Sequence, residues 1–170
     1  PGFPGERSPP VRELCEQHPE VGVIIASNFS IGANLMMRFS ELAAPYYPSV
    51  EIVELHHPNK ADAPSGTART TAQQIARVRK EHDMAPVPDA TVHDELGARG
   101  ADVEGIHVHG LRMQGLVAHQ EVHFGAPGEN LTIRHDSFDR ESFMPGVVAA
   151  VRHVRKHKGL TLGMNEVLGL

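Results

Sequence analysis

Between Leu116 and Phe124 the chain alternates strictly. Val117, His119, Glu121 and His123 fall on one face of an extended segment, and Ala118, Gln120, Val122 and Phe124 on the other. A period of two is the signature of a strand, and a polar row beside an apolar one fits an antiparallel sheet with one wet face. Ala126-Pro127-Gly128-Glu129 is a credible turn, and Asn130 to Asp136 supplies the strand beyond it. Upstream, Val103 to Val108 reads as one further strand, so this stretch is expected to be a meander.

The preceding half has a different rhythm. Val21 to Ala26 is a short apolar run of the kind buried on both faces, and the residues around it offer few partners, so its neighbours are expected upstream. Asn34 to Tyr47 places Leu35, Met36, Phe39, Leu42, Ala43, Tyr46 and Tyr47 on one helical face, with Pro48 closing it. Val50 to Leu55 is a β-branched strand. Thr67 to Glu81 follows as a helix with Ala68, Ala72, Ile75 and Ala76 inward, and Asp83 to Gly100 is mostly connection. Phe143 to Lys156 gives a last helix through Val147, Val148, Val151 and Val154, stopped by Gly159 ahead of a short tail. Val11 to His18 suits a short helix, whereas Pro1 to Pro10 reads as loop. The order predicts an α+β domain with a mixed sheet and flanking helices.

Composition narrows the function. The 170 residues suit one domain or one domain with an appendage. Hydrophobic residues at 40% with no tryptophan imply a core of Leu, Ile, Val, Ala and Met. A net charge of -5 argues against a broad nucleic-acid footprint, and no run approaches a membrane span. The single cysteine, Cys15, excludes an internal disulfide and a Cys-rich zinc site, and is expected to be a buried thiol. A soluble, cytoplasmic protein is expected.

Chemistry concentrates in Glu54-Leu55-His56-His57-Pro58-Asn59-Lys60-Ala61-Asp62-Ala63-Pro64-Ser65-Gly66-Thr67-Ala68. Two histidines and a lysine follow a strand, and Ser-Gly-Thr opens a helix. A helix start offers N–H groups and a positive dipole end; Ser65 and Thr67 add hydroxyls, Gly66 permits close backbone approach, and Lys60 adds charge. That combination predicts a receptor for a carboxylate or phosphate. Ser65 is also an ordinary helix N-cap, which is compatible with the same role. Twelve histidines invite a metal reading, but the pairs His56 with His57, His107 with His109 and His119 with His123 lack zinc-protease spacing, and none is expected to bind metal. Pro1 to Gly5 is too short and irregular for a dinucleotide fingerprint.

The run His56-His57-Pro58-Asn59-Lys60-Ala61-Asp62-Ala63-Pro64-Ser65-Gly66-Thr67 resembles the signature of the 4-hydroxy-tetrahydrodipicolinate (dihydrodipicolinate) reductase family, most like its actinobacterial branch. Ile25-Ala26-Ser27-Asn28-Phe29-Ser30-Ile31-Gly32, Ile133-Arg134-His135-Asp136-Ser137 through Arg140, and Glu166-Val167-Leu168-Gly169-Leu170 agree in order, so the likeness covers essentially the whole chain. One departure is Gly115 to Gln120, where many relatives carry an acidic residue and then Gly-Glu-His or Gly-Asp-His. The resemblance aligns this chain with the C-terminal two-thirds of the family, without the N-terminal Gly-rich dinucleotide-binding half; Gly2-Phe3 looks like the trailing edge of a loop beside the nicotinamide.

The resemblance implies three parts. Residues 1–27 would be a remnant of a Rossmann-like dinucleotide-binding domain, 28–140 a substrate-binding and oligomerisation domain, and 141–170 a helix and tail returning to the first. It implies a cyclic dicarboxylate that loses water and accepts hydride from NADH or NADPH to give tetrahydrodipicolinate, on the route to diaminopimelate and lysine. Ser65, Gly66 and Thr67 would clamp a carboxylate with Lys60 and His57. His56 and Lys60 are both candidates for proton donation, which hydride addition requires. Ala26, Ser27, Asn28 and Phe29 would meet the nicotinamide end, with Arg140 near the domain junction, in a homotetramer. Two alternatives are a non-catalytic dicarboxylate-binding or oligomerisation fragment, and a sugar- or phosphate-binding protein reusing the Ser-Gly-Thr site. Alone, the chain is expected to expose apolar faces of Val21 to Ile25 and of the last helix, and to be poorly soluble or dependent on a partner for stability unless something covers them.

Overall fold

The structure is a computed structural model, and it describes residues 8–170. The loop expected over residues 1–7, with the Gly2-Phe3 resemblance, lies outside them. The chain divides into two compact units: Leu35–Asp139, and the residues up to Asn34 together with Arg140–Leu170.

The Leu35–Asp139 unit is built on a five-stranded mixed sheet. Its strands are β2 (Ser49–His56), β3 (Ala101–Val103), β4 (Ile106–Arg112), β5 (Ala118–Ala126) and β6 (Glu129–Ser137), in the order β3-β4-β2-β5-β6. Only β2 and β4 run parallel; the remaining neighbours are antiparallel. Parallel strands need a long crossover, and helix α3 (Gly66–Glu81) lies within it. Val50, Ile52, Val108, Val122 and Phe124 rise from one sheet face to meet Ala68, Ala72, Ile75 and Val78 of α3. Two alanines with no exposed surface on that stripe let helix and sheet approach closely.

The strand expected over Val103 to Val108 is in fact a hairpin. Glu104 and Gly105 both have positive φ, 55° and 85°, and turn β3 back onto β4. Two residues with φ above zero form the turn whose twist matches paired strands, and a glutamate in that position gave no warning of it. The expected Ala126 to Glu129 turn is present, with Gly128 at φ 86°. The wet face of β5 is only partly wet: His119 is buried.

Arg79 is the other surprise. It sits in the last turn of α3, buried, and its guanidinium donates to the carbonyls of Tyr47 (2.7 Å), Pro48 (3.0 Å) and Ala85 (2.9 Å). Two chain segments that make no regular pairing, Tyr47–Pro48 and the one at Ala85, are thereby tied to one side chain, and burial lowers its pKa. Arg79→Met keeps the stem but strands three carbonyls. The expected loss is about 2–3 kcal/mol, read as a lower urea midpoint with unchanged m-value.

The second unit contains α1 (Ser8–Gln17), β1 (Gly22–Ile25), α4 (Met144–Val154), β7 (Gly159–Leu162) and the single-turn α5 (Asn165–Leu168). Helix α2 (Ile31–Ala43) begins here and continues past the boundary, followed by a 3-10 turn at Ala44–Tyr46. Helix α1 starts inside the expected loop, because proline is tolerated in a first helical turn, where an N–H has no partner anyway. Strand β1 finds its neighbour within the chain: it pairs in parallel with β7, Gly22 opposite Gly159 through Ile25 opposite Leu162. The short tail expected after Gly159 thus holds a strand. Cys15 is buried, while Val148 and Val151 of α4 remain exposed.

Candidate active site

The strand pattern of β2 puts Val50, Ile52, Glu54 and His56 in the inward register, so a carboxylate occupies a core position. Glu54 has no exposed surface. A buried charge has to be paired and hydrogen-bonded, and Glu54 is both. Arg112 of β4 grips it with two parallel bonds, 2.9 Å to Oε2 and 2.8 Å to Oε1. The Nδ1 of His56 lies 2.5 Å from Oε2, and the backbone N–H of Ser65 donates to Oε1 at 3.2 Å. Opposite Glu54 in the parallel ladder stands Gly110, where an added Cβ would come within 3.2 Å of Oε1. The absence of a side chain there makes room for the fork.

Burial raises the proton affinity of Glu54, but the hydrogen bonds from His56 and Arg112 outweigh it, and its pKa falls to about 2. A depressed carboxylate pKa stabilises the fold above the unfolded value near 4.5, and that stabilisation is lost as pH drops towards about 2. Acid titration through this window is expected to remove on the order of 3 kcal/mol. Glu54→Gln should flatten that part of the stability profile, as followed by urea unfolding at stepped pH.

Ser65 caps α3: it is buried, and its Oγ accepts from Ala68 N–H at 3.2 Å. Arg112 also donates to Asp62 O at 2.7 Å, so strand β4 holds the loop that leads into the cap. Lys60 and Asp62 form an ion pair within that loop, and Asp62 further accepts the backbone N–H of Gly66; its pKa is lowered, chiefly by Lys60. A carboxylate of the chain itself therefore rests on a lysine and a helix-start N–H, the donors an external carboxylate would use.

His56, Lys60, Ser65, Gly66 and Thr67 all lie at this end of α3, with Glu54 joining the first to the third. His57 is exposed, and its backbone N–H donates to Val117 O at 3.4 Å. Ala26, Ser27, Asn28 and Phe29 belong to the other unit, in the loop between β1 and α2. Asn34 gathers that loop by donating to Asn28 O (3.0 Å) and Ser30 O (2.7 Å), while Asn28 Oδ1 accepts from Ser30 N–H at 2.8 Å. Arg140 opens an exposed 3-10 turn in the same unit.

Sequence reasoning missed Glu54, Arg112 and the buried pair Gln120–Thr71, whose Nε2 to Oγ1 distance is 2.9 Å. The signal was present for Glu54: a charge in the inward register of a strand. Among the described residues no three His, Cys, Asp or Glu side chains converge as a metal site, and no helix is long and apolar enough to cross a membrane.

The end of β2, the loop after it and the start of the crossover helix α3 thus gather His56, Lys60, Ser65, Gly66 and Thr67 at one edge of a mixed sheet. The family model described as "Dihydrodipicolinate reductase, C-terminus" matches residues 32–168. The chain is 61% identical over 169 residues to the 4-hydroxy-tetrahydrodipicolinate reductase of Cutibacterium acnes, covering 99% of this chain and 69% of that protein. The reductase of Mycolicibacterium gilvum is 58% identical over 169 residues, at 99% and 68% coverage. Among solved structures, a dipicolinate-bound dihydrodipicolinate reductase from Paenisporosarcina sp. TG-14 superposes with a TM-score of 0.77 at 46% identity, covering 96% of this chain and 61% of that one. The chain belongs to the 4-hydroxy-tetrahydrodipicolinate reductase family, the NAD(P)H-dependent reductases of diaminopimelate and lysine biosynthesis. It spans about two thirds of the length of the relatives it matches.

Proposed function

We propose that this chain binds the cyclic dicarboxylate of that reaction, 4-hydroxy-tetrahydrodipicolinate, and supplies the proton when NADH or NADPH delivers hydride. The observation that carries the reading is Gly66. It is a helical glycine without positive φ, and nothing lies within 4 Å of the place its Cβ would take. Neither backbone conformation nor packing calls for glycine there; close approach of a ligand to the helix start does.

In this reading one substrate carboxylate sits on Ser65, Gly66 and Thr67 with Lys60 and His57, displacing Asp62. His56 or Lys60 donates the proton beside the reacting centre. The substrate hydroxyl would leave as water and hydride donation would oxidise NADH or NADPH, with Ala26, Ser27, Asn28, Phe29 and Arg140 as the residues that would hold its nicotinamide end. Assembly as a cytoplasmic homotetramer belongs to the same proposal.

The test is calorimetric titration with dipicolinate, the ligand of the Paenisporosarcina relative. Saturable binding is expected, weakened about tenfold, or 1.4 kcal/mol, by Lys60→Met. Gly66→Ala should weaken binding as well while leaving stability intact. Absence of binding to the unsubstituted chain would sink the dicarboxylate reading.

A further inference from the structure

Glu54 makes every one of its contacts with something the site needs. The ionised carboxylate can only accept hydrogen bonds, so the proton it receives from the imidazole must sit on His56 Nδ1. That leaves Nε2 as the remaining polar atom of a mostly buried ring, with no partner among the described residues. The other oxygen of the same carboxylate holds the N–H of Ser65, the residue that caps the anion-receiving helix. Arg112 closes the arrangement from the parallel neighbour strand and reaches on to Asp62 O. One buried group thus sets the distance between the imidazole and the helix start, and sets which nitrogen of the imidazole is offered.

We propose that Glu54 is the positioning residue of this site: its carboxylate fixes the proton of His56 on Nδ1, presents Nε2 to the ligand, and holds the start of α3 in register with that nitrogen. The presentation to a ligand rests on the dicarboxylate reading above; the fixing of the tautomer does not. Glu54 itself touches no ligand in this arrangement. It acts through His56 and Ser65, as a carboxylate behind a metal-bound or catalytic histidine does elsewhere. Arg112 keeps the carboxylate ionised, and therefore accepting, inside the core.

The experiment is long-range proton–nitrogen NMR of the chain carrying labelled histidine, compared among the unsubstituted protein, Glu54→Gln and Glu54→Asp. The aspartate keeps its charge for Arg112 but is one methylene short of His56, so it remains informative if the glutamine variant does not fold. His56 is expected to show the Nδ1–H tautomer in the unsubstituted chain and a mixture in each folded variant. The dipicolinate dissociation constant should rise about tenfold in both. A merely structural Glu54 would lower stability without moving the nitrogen signature, so an unchanged tautomer in a folded variant overturns the proposal. An unchanged dipicolinate affinity alongside a changed tautomer overturns it too. Failure of the unsubstituted chain to bind dipicolinate refutes the dicarboxylate reading and with it the presentation of Nε2, while the tautomer comparison, which needs no ligand, still decides the first half.

Discussion

Gly146→Ala is expected to cost about 3 kcal/mol or more and to disrupt the unit around β1 and β7. A Cβ on residue 146 would lie 1.7 Å from the carbonyl oxygen of Phe29 and 2.9 Å from its carbon. Both are backbone atoms, so no rotamer change relieves the clash: either the first turn of α4 or the loop between β1 and α2 has to move. That loop is already fixed by Asn34, which holds Asn28 and Ser30. A glycine in a helix costs up to about 1 kcal/mol against alanine, so the close crossing explains a choice that helix propensity disfavours. Gly66→Ala is the matched control. Its Cβ meets nothing, and the substitution is expected to be neutral or slightly stabilising. Chemical denaturation followed by circular dichroism compares the two; equal midpoints would contradict the crossing.

Phe124→Ala in the other unit is expected to cost about 4 kcal/mol. Phe124 is among the largest fully buried side chains, facing Val50 across the antiparallel ladder and packed against Tyr47 with ring centroids 5.7 Å apart. The other side chains around it belong to the same packed core, so truncation leaves a cavity that they fill only in part. Phe124→Leu should recover more than half of the loss, because the leucine restores most of the volume. Urea midpoints measure both, and a loss below about 1 kcal/mol for the alanine would mean that the core there is not close-packed.

What the sequence disclosed follows the range of the interactions concerned. Strand β2, helix α3 and helix α4 were legible because periodicity is a local property and Val50, Ile52, Ala68, Ala72 and Ile75 obey it. That His56, Lys60, Ser65, Gly66 and Thr67 gather at the start of α3 was legible because they are nearly contiguous in the chain. Strand β7 was hidden, since Leu160-Thr161-Leu162 is too short to declare itself and becomes a strand only by pairing with β1, far upstream. Arg112 was hidden for the same reason: it lies 58 residues from Glu54, and nothing near it in the chain announces a partner. Arg79 looked like an ordinary basic residue at a helix end. Its work is done on carbonyls that the sequence does not show to be unpaired. The hairpin of β3 and β4 failed locally, because glutamate at positive φ is uncommon.

The pairing of Tyr47 with Phe124 has an optical consequence. The chain has no tryptophan, and its two tyrosines are Tyr46 and Tyr47, both in the Leu35–Asp139 unit. Intrinsic emission therefore reports on that unit alone, through one ring in solvent and one against the core, and the unit that carries Gly146 is dark. Circular dichroism sees the backbone of both. Melting curves recorded by the two methods on a single sample then tell whether the units come apart together or in turn, without a label or a substitution.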